Sequence, residues 1–440
     1  MSLWKIAWRS IQQRALASSL TAVSMALGVM LVVAVLVVSG VVQKSFATGN
    51  SLGYNMIVGA KGGRLDLLLN TVYYLNRPIE NIPWEYYKEF LHANERSDHK
   101  DGRFAAYVDL AIPVCLGDFL GEQAQFRVVG TNPEMFTRLL NSKFQAGEVF
   151  KTSDFATAVV GAEVAADQHL KVGDDVVPIH GGVGGEKHMP FKITGILARS
   201  GTPNDRAAFV NIEGFFLIPD HARGHVEEPK PPPGTPEPKE EMLKTPLPDE
   251  QREVTAILIR GASTGDLLPE LATEELIKPI NKDNVAQAIL PVKEIRVLID
   301  TFVTPLVSIL LGLTALIVVV SGVGIMVSIY TSMSERRHEI AVMRALGARR
   351  RTVMLVILLE SILLALGGGV LGWLAGHLLV GACGPWITSY TGVESGFLQF
   401  APIYELILIP ALIVLASLVG FLPALTAYQT DVGKALTATP

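Results

Sequence analysis

Two long apolar runs frame one short, densely charged island, and this arrangement constrains the chain more than any other feature. Thr301 to Ser334 contains no Asp, Glu, Lys or Arg, and Thr352 to Val393 contains one, Glu360. Between them, Ser334 to Arg351 gathers Glu335, Arg336, Arg337, Glu339, Arg344 and the triplet Arg349, Arg350 and Arg351. Each flanking run exceeds the roughly 20 apolar residues that a helix needs to cross a bilayer. The island is therefore expected to be a loop between two spans, and its basic excess places it on the cytoplasmic side.

Two further spans complete the pattern. Ala15 to Val42 carries no charge, and it is about twice as long as the 7–15-residue apolar core of a cleaved signal peptide, so a retained first span is expected. Residues 1–14 before it set Leu3, Trp4, Ile6 and Ile11 against Lys5, Arg9 and Arg14, as an amphipathic interfacial helix does. The second span, 301–333, belongs to a charge-free stretch of 34 residues, about 50 Å of helix against roughly 30 Å of hydrocarbon. Its excess reads as a stalk, with Pro305 a candidate kink. The third span covers 352–383 and the fourth 406–428. The connection 384–405 has no Lys or Arg and is read as external, whereas the tail 429–440 is read as internal. Both termini then face the cytoplasm, and residues 43–300 lie outside.

That insert has the charge and turn content of a folded domain. Strand-like runs at Tyr107–Val114, Gln125–Val129, Ala156–Val160, Phe191–Leu197 and Val254–Arg260 alternate with helical stretches at Pro133–Leu140 and Gly161–His169. The expected fold is four transmembrane α-helices plus a large α+β extracytoplasmic domain between helices 1 and 2. Within it, residues 229–250 form a proline-rich stretch read as an extended, mobile loop; eight prolines fall between Pro229 and Pro248. The two cysteines, Cys115 and Cys383, fall in such different contexts that no disulfide is expected.

Chemistry-bearing motifs are sparse. The glycine-rich stretch Gly181–Lys187 lacks the Ser/Thr of a phosphate loop, His338-Glu339 is followed at the zincin position by Val342, and no Gly-x-Ser-x-Gly elbow occurs. No catalytic residue, cofactor or nucleic-acid footprint is expected, and any ATP hydrolysis belongs to another subunit. His180 and His188 flank the glycine-rich stretch, while His221 and His225 stand four apart; solvated loop histidines and a zinc site are the two readings. Glu360 is an intramembrane carboxylate, read first as a structural anchor to a nearby Arg or to the N-terminal helix and second as part of a transport path. Gly368, Gly372 and Gly376 recur every fourth residue and invite close helix approach, either within the chain or across a dimer seam.

Glu335 through Ala348, running into Leu358-Leu359-Glu360-Ser361, resembles the permease core of the FtsX/MacB-like ABC transporter superfamily. So does Pro423-Ala424-Leu425-Thr426-Ala427 with Asp431 and Ala435-Leu436. Val159–Ala165, Leu170–Asp174 and Ile193–Leu197 are similar to the MacB-type periplasmic core domain, and Val58–Gly63 with Asn81–Pro83 is similar to a subgroup of separate-subunit permeases. The resemblance implies two permease copies, identical or not, above a cytoplasmic ATPase pair, with a periplasmic adaptor or binding protein as a further partner. It makes 334–351 the coupling helix, with Glu335, Arg336, Arg337, Glu339, Arg344 and Gly347 facing the ATPase. The function implied is export or release of an envelope substrate such as a lipid, lipoprotein, peptide or drug. Two alternatives accompany it: a non-transporting complex that regulates an envelope hydrolase or sensor, and a system handling zinc.

Overall fold

The computed structural model describes residues 3–47, 52–75, 78–121, 123–218, 246–263, 268–335, 337–345, 347–391 and 402–429. In chain order the helices are α1 (Leu3–Gln13), α2 (Ala15–Ala47), α3 (Arg64–Tyr73), α4 (Trp84–Lys88), α5 (Ala162–Asp167), α6 (Ile212–Phe215), α7 (Pro269–Lys282), α8 (Pro291–Leu298), α9 (Thr304–Glu335), α10 (Arg337–Ala345), α11 (Arg350–Thr391) and α12 (Pro402–Gln429). The strands are β1 (Met56–Ala60), β2 (Ile82–Pro83), β3 (Val108–Leu120), β4 (Phe126–Thr131), β5 (Phe144–Gly147), β6 (Thr157–Val160), β7 (Asp175–Val176), β8 (Phe191–Leu197), β9 (Ala207–Asn211), β10 (Glu253–Val254), β11 (Ala256–Gly261) and β12 (Ala286–Ile289). The chain divides into two compact units, one holding the apolar helices and the other residues 45–298.

Among the described residues, four helices are long and apolar enough to cross a membrane: Ala15–Val41, Pro291–Met333, Arg350–Pro385 and Glu405–Thr426. A π-helical turn, Ile299–Val303, precedes α9. Pro305 follows this turn as the second residue of α9, inside the continuous helical span Pro291–Met333. Small residues set the spacing of the bundle. A Cβ on Gly28 of α2 would stand 3.0 Å from Val318 of α9, and one on Gly322 of α9 would stand 3.1 Å from Val419 of α12. Ser24 and Ser321 pair their hydroxyls at 3.0 Å across α2 and α9, and the Ser321 hydroxyl also lies 3.1 Å from the Ser24 carbonyl. In hydrocarbon, where apolar side chains gain little from leaving lipid, such close packing and hydrogen bonding hold helices together.

The inserted domain is built on a ten-stranded sheet in the order β12-β1-β11-β3-β4-β9-β6-β8-β5, with β7 added to β8, and a separate β10-β2 ribbon. Most pairings are antiparallel; β4 with β9 and β6 with β8 are parallel. The β6/β8 pair needs a crossover, and α5 lies within that connection. The long strand β3 occupies the middle of the sheet, paired with β11 and β4, with a register break between Leu116 and Phe119. Its residues are mostly buried, which explains the continuous apolar reading of this stretch. Sequence patterning finds β3, β4, β6, β8 and β11 but passes over β1, β5, β9 and β12, which are only four or five residues long.

Arg252 and Glu213 form a largely buried charged pair in this domain. Arg252 donates through Nη1 and Nη2 to the two carboxylate oxygens of Glu213 at 3.2 and 3.0 Å, and its guanidinium lies 5.3 and 5.4 Å from the rings of Trp84 and Phe216. Burial raises the Glu213 pKa above the usual carboxylate value, and the Arg252 charge opposes that shift. The proline-rich stretch lies outside the described residues except at its end, 246–250.

Candidate functional site

The charged island folds as α10 followed by a tight stop before α11. Ile340 and Ala341 are buried, whereas Val342 and Met343 are exposed. Exposed apolar residues beside a basic run suit a bilayer interface or a protein partner. Gly347 ends the helix with φ at +101°, its N–H donating to the Arg344 carbonyl at 3.0 Å while the Ala348 N–H donates to the Met343 carbonyl at 3.0 Å. These two bonds form a Schellman cap, which needs a left-handed residue at this position. Gly347 thus has a local task that its assignment to a partner-facing set does not anticipate. Arg344 is half-buried, and Arg349 to Arg351 follow at the start of α11, with the Arg350 guanidinium 5.7 Å from the Tyr428 ring. Arg336 lies outside the described residues, as do the side chains of Glu335, Arg337 and Glu339.

Behind α10 lies a cavity of about 730 Å³ bounded by α1, α9, α10 and α11. Its polar wall is made by Arg9, Ser10 and Gln13 of α1 and Glu360 of α11. Ser10 and Glu360 are both buried, and the Ser10 hydroxyl donates to Glu360 Oε2 at 3.0 Å. The intramembrane carboxylate therefore ties α11 to the N-terminal helix. Ala7 and Ser10 form the covered face of α1, with Trp4 and Trp8 half exposed on its other side, as an interfacial helix requires.

The glycine ladder of α11 faces α2 of the same chain. A Cβ on Gly368 would stand 2.7 Å from the Ala22 carbonyl, on Gly372 2.4 Å from the Ala26 carbonyl, and on Gly376 2.8 Å from Val33 Cβ. Residues of α2 thus lie directly against all three glycines.

A second polar cluster in the bundle escaped sequence reasoning. Trp373 Nε1 donates to Glu405 Oε2 at 3.0 Å, and His377 Nε2 lies 3.4 Å from the same oxygen. The available signal was Trp373 and His377 at i,i+4 in a span, one helical face that a carboxylate on another helix could meet. In the inserted domain, His180 and His188 converge on Asp118, at 3.4 and 3.1 Å. Asp118 gave no sequence signal, being one acid within a long buried strand. His221 and His225 lie outside the described residues. Cys115 is fully buried, and burial pushes its thiol pKa well above the ordinary value.

Two family models match the chain. The FtsX-like permease C-terminal model matches residues 311–432, and the MacB-like periplasmic core domain model matches residues 18–259. The macrolide export ATP-binding/permease protein MacB of Bdellovibrio bacteriovorus is 34% identical over 107 residues, covering 24% of this chain and 16% of that protein. The MacB of Acinetobacter baylyi is 35% identical over 146 residues, covering 32% of this chain and 21% of the relative. The matched stretches thus span about a fifth or less of those relatives' length. Among solved structures, the periplasmic region of MacB from Actinobacillus actinomycetemcomitans covers 57% of this chain and 95% of its own, at 13% identity and a TM-score of 0.33.

Proposed function

Because this chain belongs to the FtsX/MacB-like ABC permease family, we propose that it is the membrane subunit through which a separate ATPase drives conformational work in the periplasmic domain. The observation that carries this reading is α10. It is a capped helix whose Ile340 and Met343 line the cavity behind it, while Val342 is exposed and the basic run Arg349 to Arg351 follows. An exposed apolar residue beside basic ones is a contact that a protein partner can use. No phosphate loop occurs in this sequence; in this reading the energy enters from a separate ATPase, and Glu335, Arg336, Arg337, Glu339 and Arg344 are the residues that would orient it. The island would face the cytoplasm with both termini, by the charge asymmetry of the loops. The work done is export or release of an envelope substrate; a drug-like amphiphile is one class, since the relatives are named for macrolide export. A second permease copy would cover part of α9, the span least buried by its own chain.

The test is reconstitution of the full chain with its partner ATPase in proteoliposomes. Glu335→Ala combined with Arg344→Ala should lower permease-stimulated ATP hydrolysis roughly 5-fold or more, the lower end of ordinary coupling energies. The variant should retain the circular-dichroism spectrum and elution volume of the parent. Unchanged stimulation in a folded double variant would refute the reading.

A further inference from the structure

Asp118, His180 and His188 each present one ligand atom, and these atoms all lie within 4.8 Å of one another. The Asp118 side chain is 3% exposed, that of His188 9% and that of His180 48%, so the cluster is closed on the strand side and open on one flank. His180 Nδ1 lies 3.4 Å from Asp118 Oδ1, and His188 Nε2 lies 3.1 Å from Oδ2. Zinc bound tetrahedrally at about 2.0–2.1 Å sets its ligand atoms roughly 3.4 Å apart. Each imidazole nitrogen thus stands about one such edge from its own Asp118 oxygen, and with all the ligand atoms within 4.8 Å a small turn of the carboxylate brings one oxygen to both.

The backbone holds these donors in place. Asp118 sits inside the register break of β3, next to Phe119. Ile179 and Phe119 exchange both backbone hydrogen bonds, at 2.8 and 3.2 Å, so the segment carrying His180 is pinned to β3. The His180 N–H donates to the Glu186 carbonyl and the His188 N–H to the Pro178 carbonyl, at 2.8 and 2.9 Å, which closes the glycine-rich stretch as a hairpin. Gly181, Gly182 and Gly184 take φ values of +71°, +105° and +78°, a turn that other residues enter only with strain. The loop that reads as flexible and solvated is therefore a clasp that brings two imidazoles onto one carboxylate.

We propose that this triad is a divalent transition-metal site, taking Zn2+ through His180 Nδ1, His188 Nε2 and one Asp118 oxygen, with water as the fourth ligand. Two imidazoles and a carboxylate suit zinc, whereas calcium and magnesium demand more oxygen donors. Binding displaces any proton on the two coordinating nitrogens and fastens the hairpin to the end of β3. Such a site operates whichever motor drives the membrane helices.

The probe is Zn2+ itself, titrated into the chelator-stripped full chain in detergent micelles against a competing chromophoric chelator. One zinc per chain is expected in the micromolar range or tighter. His180→Ala, at the half-exposed position, should weaken binding at least about tenfold, since losing even an outer-shell partner commonly costs that much. Asp118→Asn should do the same, and His99→Ala, an exposed histidine elsewhere, should not. Co2+ in the parent should give the intense visible bands of a four-coordinate ion, lost in His180→Ala. Absence of saturable zinc binding by the parent would overturn the proposal, as would binding unchanged in a folded His180→Ala chain.

Discussion

Ser10 and Glu360 lie 350 positions apart and meet through a 3.0 Å hydrogen bond. A carboxylate in a span is costly unless a donor reaches it, so the hydroxyl turns a liability into a tether between α1 and α11. Cys115 illustrates the converse case, a reactive group silenced by its surroundings. It is fully buried and donates to the Glu253 carbonyl at 3.5 Å, and burial is the main cause of its raised pKa. A thiol pKa raised by folding means that the folded chain keeps the proton where the unfolded chain releases it. Its contribution to stability is thus complete below the unfolded thiol pKa, about 8.5, and is lost progressively as the pH rises above it. A thiol-directed maleimide at about pH 9 should therefore leave Cys115 unmodified in the native chain and modify it fully in denaturant, as read by peptide mass spectrometry. Equal rates in the two conditions would contradict the burial argument.

At the scale of elements, α11 is the organising helix of the membrane unit. Its ladder Gly368, Gly372 and Gly376 lies against α2, and Glu360 below it holds α1. Gly372→Leu would place a side chain where a Cβ alone already stands 2.4 Å from the Ala26 carbonyl and 2.8 Å from Val29 Cβ. Overpacking of this kind costs about 1–3 kcal/mol or more. The thermal midpoint of the detergent-solubilised chain should fall, whereas Gly367→Leu, at a position with nothing within 4 Å, should leave it nearly unchanged. The four-residue spacing was readable from the primary structure, because a small residue every helical turn makes one continuous groove. The helix filling that groove also carries a signal that the sequence reading did not use: α2, more than 300 positions away, sets Ser18, Ala22 and Ala26 at the same four-residue spacing, and Ala22 and Ala26 are the residues that meet Gly368 and Gly372. Short strands failed for a different reason: β5 and β12 are four residues each, too brief for a period of two to stand out, and they exist because neighbouring strands offer them a hydrogen-bonded edge.

Across the whole molecule, four apolar helices and an inserted α/β domain make a multi-pass membrane protein of the permease family. The proposed orientation has a direct measurement. In a Cys115→Ser, Cys383→Ser background, single cysteines replace two exposed basic residues, Lys171 of the inserted domain and Arg349 of the charged island. A membrane-impermeant maleimide added to cells with a permeabilised outer membrane should label Lys171→Cys, and should label Arg349→Cys only after lysis. Labelling of Arg349→Cys in intact cells would invert the topology.

Span number, the place of the inserted domain, and the absence of a recognisable phosphate-loop signature were all legible in the amino-acid sequence alone. These depend on composition summed along contiguous stretches, and a bilayer or a phosphate loop responds to contiguous chemistry. Only the tertiary structure decided what the isolated polar residues do. Glu360 finds Ser10, Glu405 finds Trp373 and His377, and Asp118 gathers His180 and His188. Each of these clusters is assembled by packing between segments remote in the chain: local spacing can mark one side, as with Trp373 and His377, but helix approach and strand register choose the partner.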